Sequence, residues 1–247
     1  GIMLSYLDDP LDGYIYSYAV VAVDNEEPQN LSEFSGEIEV YSGSFPQYLI
    51  WEPSANSPLS GEAIKSDMDD LGKLSYLTDN IWAFGNPLQH NFKAIFMLTG
   101  IWPNNHEMTS SEEVILLEYI DAGGSVYLED GDIWFNSFDS EIREIFNCYG
   151  IDDGEGDISI IEGLSGTFAA GYSSNYTGEN NWIDRLGVLS SAFPFIMNSE
   201  PEYAISVAYE DDRYRTIASS FEYGGLDGMV YIDGVGYEGA GITSVSY

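Results

Sequence analysis

Apolar and polar positions change rhythm along the chain. Residues 14–23, Tyr14-Ile15-Tyr16-Ser17-Tyr18-Ala19-Val20-Val21-Ala22-Val23, are dense in aromatic and β-branched side chains. Tyr16, Tyr18, Val20 and Ala22 fall on one face and Ile15, Ala19, Val21 and Val23 on the other, which predicts a strand. An acidic, turn-prone stretch over 24–30 separates it from a second alternating segment over 36–41. Beyond Pro46 the rhythm switches. Tyr48-Leu49-Ile50-Trp51 and Lys93-Ala94-Ile95-Phe96-Met97-Leu98 are short continuous apolar runs, the signature of buried strands. Between them, Ala63, Ile64, Met68 and Leu71 recur at helical spacing. Ser110-Ser111-Glu112-Glu113 opens a second helix with capping-box chemistry, residues 114–120 supply its apolar stripe, and Gly123-Gly124 stops it before a third strand, Ser125-Val126-Tyr127-Leu128. Strand–helix alternation predicts a three-layer α/β domain over 44–247, a mostly parallel sheet with helices on both faces. A partial β-sandwich over 1–43 is expected to precede it.

Two family resemblances sharpen this picture. Asp12-Gly13, Tyr16-x-Tyr18-x-Val20-x-Ala22-Val23-Asp24 and Ser32-Glu33-x-Ser35 resemble the last strands of a fibronectin type III domain, with Tyr16 as its tyrosine-corner residue. Only the end of that fold is covered. The resemblance implies a chain cut from a longer polypeptide, or a sheet completed by another chain. Phe96-Met97-Leu98-Thr99-Gly100, Thr109-Ser110-x-Glu112-Glu113, Leu117-x-Tyr119-Ile120-x-Ala122-Gly123-Gly124 and Val126-Tyr127-Leu128-Glu129 resemble class I glutamine-amidotransferase-like domains. The likeness runs from about residue 48 to 150 and continues more weakly through 158–160 and 215–222. Such domains are familiar in large secreted bacterial proteins beside fibronectin-like modules, which implies an extracellular or cell-surface setting.

The same resemblance argues against catalysis. An active amidotransferase needs a cysteine on a tight strand-to-helix turn and a histidine base oriented by a carboxylate. The corresponding turn here reads Glu129-Asp130-Gly131-Asp132. The single cysteine, Cys148, lies elsewhere, and both His90 and His106 precede it. Gly163-Leu164-Ser165-Gly166 lacks the spacing of a nucleophile elbow, and no P-loop is present. The resemblance therefore implies fold without activity.

Charge narrows the partners. Forty-two Asp and Glu against seven Lys and Arg give a formal net charge of −35. Such a surface repels nucleic-acid phosphate and anionic lipid, and no apolar run approaches the ~20 residues that span a bilayer. It also repels itself, so folding calls for bound cations or for salt, whose screening length is ~10 Å at 0.1 M. The N-terminal residues show no basic segment followed by an apolar one, hence no visible signal peptide. A lone cysteine excludes an intrachain disulfide framework. Asn30-Leu31-Ser32 and Asn175-Tyr176-Thr177 match the glycosylation acceptor pattern.

Three acidic clusters have the composition of a calcium site: Asp8-Asp9 with Asp12; Glu129, Asp130 and Asp132; and Asp152, Asp153, Glu155 and Asp157. None has EF-hand spacing, and a solvated acidic turn is the commoner use of such residues. Among the 19 Tyr, 12 Phe and 5 Trp, Tyr172, Tyr176, Trp182 and Tyr237 sit in polar, Gly-rich surroundings that suit contacts with protein or sugar. The expectation is a non-catalytic extracellular structural or interaction module whose partners are copies of itself, neighbouring domains or a glycan. Its rival is a carboxylate- or metal-dependent hydrolase of glycan or peptide, with Glu129 and Asp132 as the pair to watch.

Overall fold

The computed structural model describes residues 14–24, 28–53, 60–136 and 141–229. Two units emerge, Gly1–Pro46 and Gln47–Tyr247. In the first, β1 (Ile15–Tyr18) pairs antiparallel with β2 (Ile38–Tyr41). The intervening chain is held by its own serines: Ser35 and Ser32 hydroxyls accept the Val20 and Ala22 N–H groups, each at 2.9 Å. The alternation over residues 14–23 thus yields four residues of ladder and an isolated bridge at Val23, because Val20 and Ala22 pair their backbone groups with Ser35 and Ser32.

The second unit runs through β3 (Tyr48–Trp51), α1 (Ser60–Asp70), β4 (Ser75–Thr78), β5 (Ala94–Gly100), α2 (Ser110–Asp121), β6 (Ser125–Asp130), α3 (Ile133–Asn136) and α4 (Glu141–Phe146). It continues as β7 (Cys148–Asp153), β8 (Ile160–Gly163), β9 (Ser173–Tyr176), β10 (Asp184–Val188), β11 (Phe193–Ser199), β12 (Glu202–Glu210), β13 (Arg215–Ser219) and β14 (Leu226–Met229). Ten strands form one sheet, in the order β14-β9-β8-β11-β12-β13-β6-β5-β3-β4, and β7 and β10 form a separate pair.

The α2 segment shows how local chemistry sets an element. Thr109 caps it by accepting the Glu112 N–H, and Glu112 returns the bond to the Thr109 N–H at 2.7 Å. At the other end Gly123, at φ +94°, allows the reversal in which the Gly124 N–H bonds the Tyr119 carbonyl at 2.9 Å. The helix then buries Ile115, Leu116, Tyr119 and Ile120 against Leu49 and Trp51 of β3 and Ile95 and Met97 of β5. Ile50 and Leu98 point to the opposite face, where they meet Ile64 of α1.

The three-layer, mostly parallel α/β architecture expected from the sequence is not what forms. Only β4, β3, β5, β6 and β13 run parallel; from β13 outward through β12, β11, β8, β9 and β14 every pairing is antiparallel. The sheet is mixed, and among the described residues the α-helices are four, all short. The physical reason lies after Asn147, where turns recur between short strands. Glu200-Pro201 closes β11 on β12, and the Asp211 carboxylate accepts the Arg213 and Tyr214 N–H groups (2.7 and 2.9 Å) to turn β12 into β13. In place of a helix, the β7–β10 pair packs against β12, bringing Cys148 and Leu186 onto the same core as Val207. The opposite face of the antiparallel half closes over Ile161, Phe195, Ile205 and Phe221.

Leu128 sits at the centre of β6, between β5 and β13, and is fully buried. Leu128→Ala leaves a void in a close-packed core and is expected to lower the unfolding free energy by roughly 2–5 kcal/mol, read from urea denaturation followed by tryptophan fluorescence.

Candidate binding cleft at the strand ends

Parallel strands place their carboxyl ends on one edge, and the loops that leave them form a crevice. Here the loop after β5 and the turn after β6 border a cleft of about 390 Å³ that opens to solvent and reaches the first turn of α2. Trp102, Asn105, His106, Glu107, Glu113 and Asp132 supply most of its chemistry.

The turn after β6 is set by Asp130. One of its oxygens accepts the Asp132 and Ile133 N–H groups at 2.8 and 2.9 Å, and the other accepts the Thr99 hydroxyl at 2.7 Å. Gly131 must be small, since a Cβ there would lie 2.9 Å from Ile101. Burial lifts the Asp130 carboxyl to about 6 despite these donors. Asp132 follows on the rim of the cleft and fixes the loop after β5 by accepting the Trp102 N–H at 2.9 Å. Burial raises its carboxyl as well, and the Asp153 charge adds to the effect.

The Trp102 side chain is 52% exposed. His106 is held beneath the loop: its Nε2 lies 3.0 Å from Glu112 Oε2, and its ring meets Trp51 edge-on at 5.5 Å. Burial acts to raise the Glu112 carboxyl, yet bonds from His106 and Thr109 outweigh it and hold the group below its ordinary value.

Behind the turn lies a buried acidic network. Glu129, 1% exposed, accepts the Tyr127 hydroxyl at 3.0 Å and the Tyr223 N–H at 2.9 Å, and burial pushes its carboxyl up to about 8. It shares with Glu52 and Glu222 a cavity of about 10 Å³, at the lower limit for one water. Asp184, 0% exposed, accepts the Phe135 N–H at 2.8 Å; burial, with Asp132 and Asp153 nearby, raises it to about 9.

The structure separates the acidic clusters singled out in the sequence. Glu129, Asp130 and Asp132 face three different sets of donors. Asp152 lies 3.5 Å from Arg185, Asp153 stands across the ladder from Asp184, Glu155 is exposed, and Asp157 accepts from Tyr203 (2.5 Å) and Arg185 (3.1 Å). Among the described residues no three His, Cys, Asp or Glu side chains converge on a point that suits a metal ion. Asp8, Asp9, Asp12 and Tyr237 lie outside the described residues. Of the aromatic positions, Tyr176 is buried with its hydroxyl on the Glu179 carbonyl (2.7 Å), Tyr172 packs half-buried on the second core, and Trp182 is 52% exposed. Cys148 is fully buried in β7, and desolvation pushes its thiol well above the ordinary range. Trp102 is not singled out in the sequence, Glu113 reads only as part of a helix start, and His106 only as a histidine upstream of Cys148. The nearest signal is their position after the apolar run over residues 93–98.

No family model matches the chain, and no curated protein matches it. Among solved structures it is similar to the exo-β-1,4-mannosidase Op5Man5 from Opitutaceae bacterium strain TAV5, with a TM-score of 0.51 and 9% identity over 72% of this chain and 31% of that one. It is also similar to the polyextremophilic β-galactosidase from the Antarctic haloarchaeon Halorubrum lacusprofundi, with a TM-score of 0.51 and 8% identity over 72% of this chain and 28% of that one. The chain therefore spans less than a third of either protein. At such identities the likeness is one of fold alone. Among the described residues no helix is long and apolar enough to cross a membrane.

The buried acids fix the sign of a pH effect. Glu129 and Asp184 carry pKa values of about 8 and about 9 when folded, against ordinary values of 4.5 and 3.8. Between those limits the folded state holds protons that the unfolded chain releases. Their stabilising contribution is complete below the ordinary values and is lost as pH rises through the folded ones. The unfolding free energy is expected to fall from about pH 5 to about pH 9, by at most ~1.4 kcal/mol per pH unit for each group, and the melting temperature with it. Glu129→Gln should flatten that slope in a calorimetric pH series; an unchanged slope would show that Glu129 is ionised in the fold.

Proposed function

We propose that the protein is a non-catalytic extracellular interaction module that assembles with further copies of itself. The observation that carries this reading is the first unit. Among its described residues it offers a two-stranded sheet only, and Val20, Leu31 and Phe34 stand 66–74% exposed beside it. A two-stranded ladder by itself is marginal in water. Large apolar groups exposed on a surface otherwise rich in carboxylates suit a covered interface. Strand addition by a neighbouring copy would extend the ladder and cover exposed apolar groups.

The chemistry at the strand ends supports a module that binds without turnover. At the strand–turn–helix elbow the side chains are Glu129, Asp130 and Asp132, and all three accept local hydrogen bonds. Cys148, buried in β7, is far from the accessible, low-pKa state of a nucleophile. An extracellular, salt-rich setting suits the net charge of −35, because screening relieves self-repulsion.

Light scattering and electron microscopy over a concentration series at high and low salt test the proposal. Regular oligomers or filaments are expected. Val20→Glu with Phe34→Glu should return the protein to monomers while leaving the melting of the second unit unchanged. Monomers at every concentration, or hydrolysis of glycan or peptide substrates by the purified protein, would overturn it.

A further inference from the structure

The cleft after β5 and β6 has a composition that selects one kind of ligand. Its volume of about 390 Å³ falls within the usual range for small-molecule sites. Trp102, half in solvent, presents an aromatic face with no fixed partner ring among the described residues, and its position is set by the backbone bond to Asp132. Around it stand Glu107, Glu113 and Asp132, and among the described residues no Lys or Arg lines the space. The one basic group there, His106, already stands against Glu112. An aromatic face flanked by carboxylates attracts an organic cation: the ring quadrupole draws the positive charge from one side while the carboxylates accept its N–H donors. Anions are repelled. A neutral sugar could stack on Trp102 and donate hydroxyls to the carboxylates, but it carries no charge to offset theirs, and the overall charge of −35 raises the local concentration of cations before contact.

We propose that this cleft binds an organic cation, a primary ammonium or guanidinium group of the kind carried by a lysine or arginine side chain, over Trp102 and between Glu113 and Asp132. The proposal rests on reading the protein as a binding module and names the ligand class of its cleft. Asp132 does double duty: its Oδ2 already accepts the Trp102 N–H at 2.9 Å, so a ligand donor would reach the carboxylate from its other oxygen.

The test is titration of the full chain with Nα-acetyl-arginine amide and Nα-acetyl-lysine amide, followed by calorimetry and tryptophan fluorescence, with cellobiose as the neutral probe. Saturable cation binding at about 1 mM or tighter is expected. Trp102→Ala should weaken it about tenfold. Glu113→Gln should weaken it several-fold, and added salt should weaken it further. Trp182→Ala removes an equally exposed indole elsewhere and should leave it unchanged. Melting curves of each variant show that the fold is retained. Equal cation binding by wild type and Trp102→Ala would assign it to the diffuse acidic surface and overturn the proposal. So would preference for cellobiose, or no saturable binding of either cation. All three outcomes leave the assembly reading standing. Hydrolysis of the amide during titration would instead overturn that reading.

Discussion

The second unit is organised around the neutralisation of one strand end. β6 finishes on two consecutive carboxyl groups inside the protein, and charge there is costly unless it is bonded or protonated. Asp130 solves this with three donors from Thr99, Asp132 and Ile133. Those bonds create the turn, seat α3, and tie β5 to β6. Trp134, fully buried at the start of α3, donates its indole N–H to the Asp130 carbonyl at 2.8 Å. One residue on, the Phe135 N–H reaches Asp184 of β10. A single line of hydrogen bonds thus runs from the parallel strands to the two-stranded layer that covers the antiparallel half. The cleft is the outer face of the same turn.

That arrangement explains what the sequence disclosed and what it withheld. Tyr48–Trp51, residues 93–98 and residues 125–128 announced their strands because each is buried on both faces and reads as an unbroken apolar run. α2 announced itself through its cap, its stripe and its glycine stop. The later strands give no such notice. β9 is Ser-Ser-Asn-Tyr, and β8 and β10 are four and five residues long with charged side chains among them. Their pairing comes from partners distant in sequence, so no local window carries it, and strand–helix alternation in the first half extrapolated wrongly to the second. The elbow was legible as a turn rich in carboxylates. The cleft beside it was not, because Trp102, His106 and Glu113 come together only when the loop after β5 folds back on α2.

The acidity also reads differently with the fold in view. A formal charge of −35 counts every carboxyl as ionised. Glu129 and Asp184, with pKa values of about 8 and about 9, keep their protons near neutrality. They are packing elements as much as charges, and the repulsion that the fold must withstand is correspondingly smaller. The few basic residues are used locally: Arg185 sits between Asp152 and Asp157 and over the Tyr203 ring at 4.6 Å.

Cys148 lies at the start of β7 with none of its surface in contact with water. A thiol so placed cannot meet peroxide, a metal-bound oxidant or another thiol without the β7–β10 layer first detaching. The one thiol of the chain is therefore shielded from the redox poise around the folded protein. Folded chains crowded together in an oxidising medium have no accessible thiol through which a disulfide could link them.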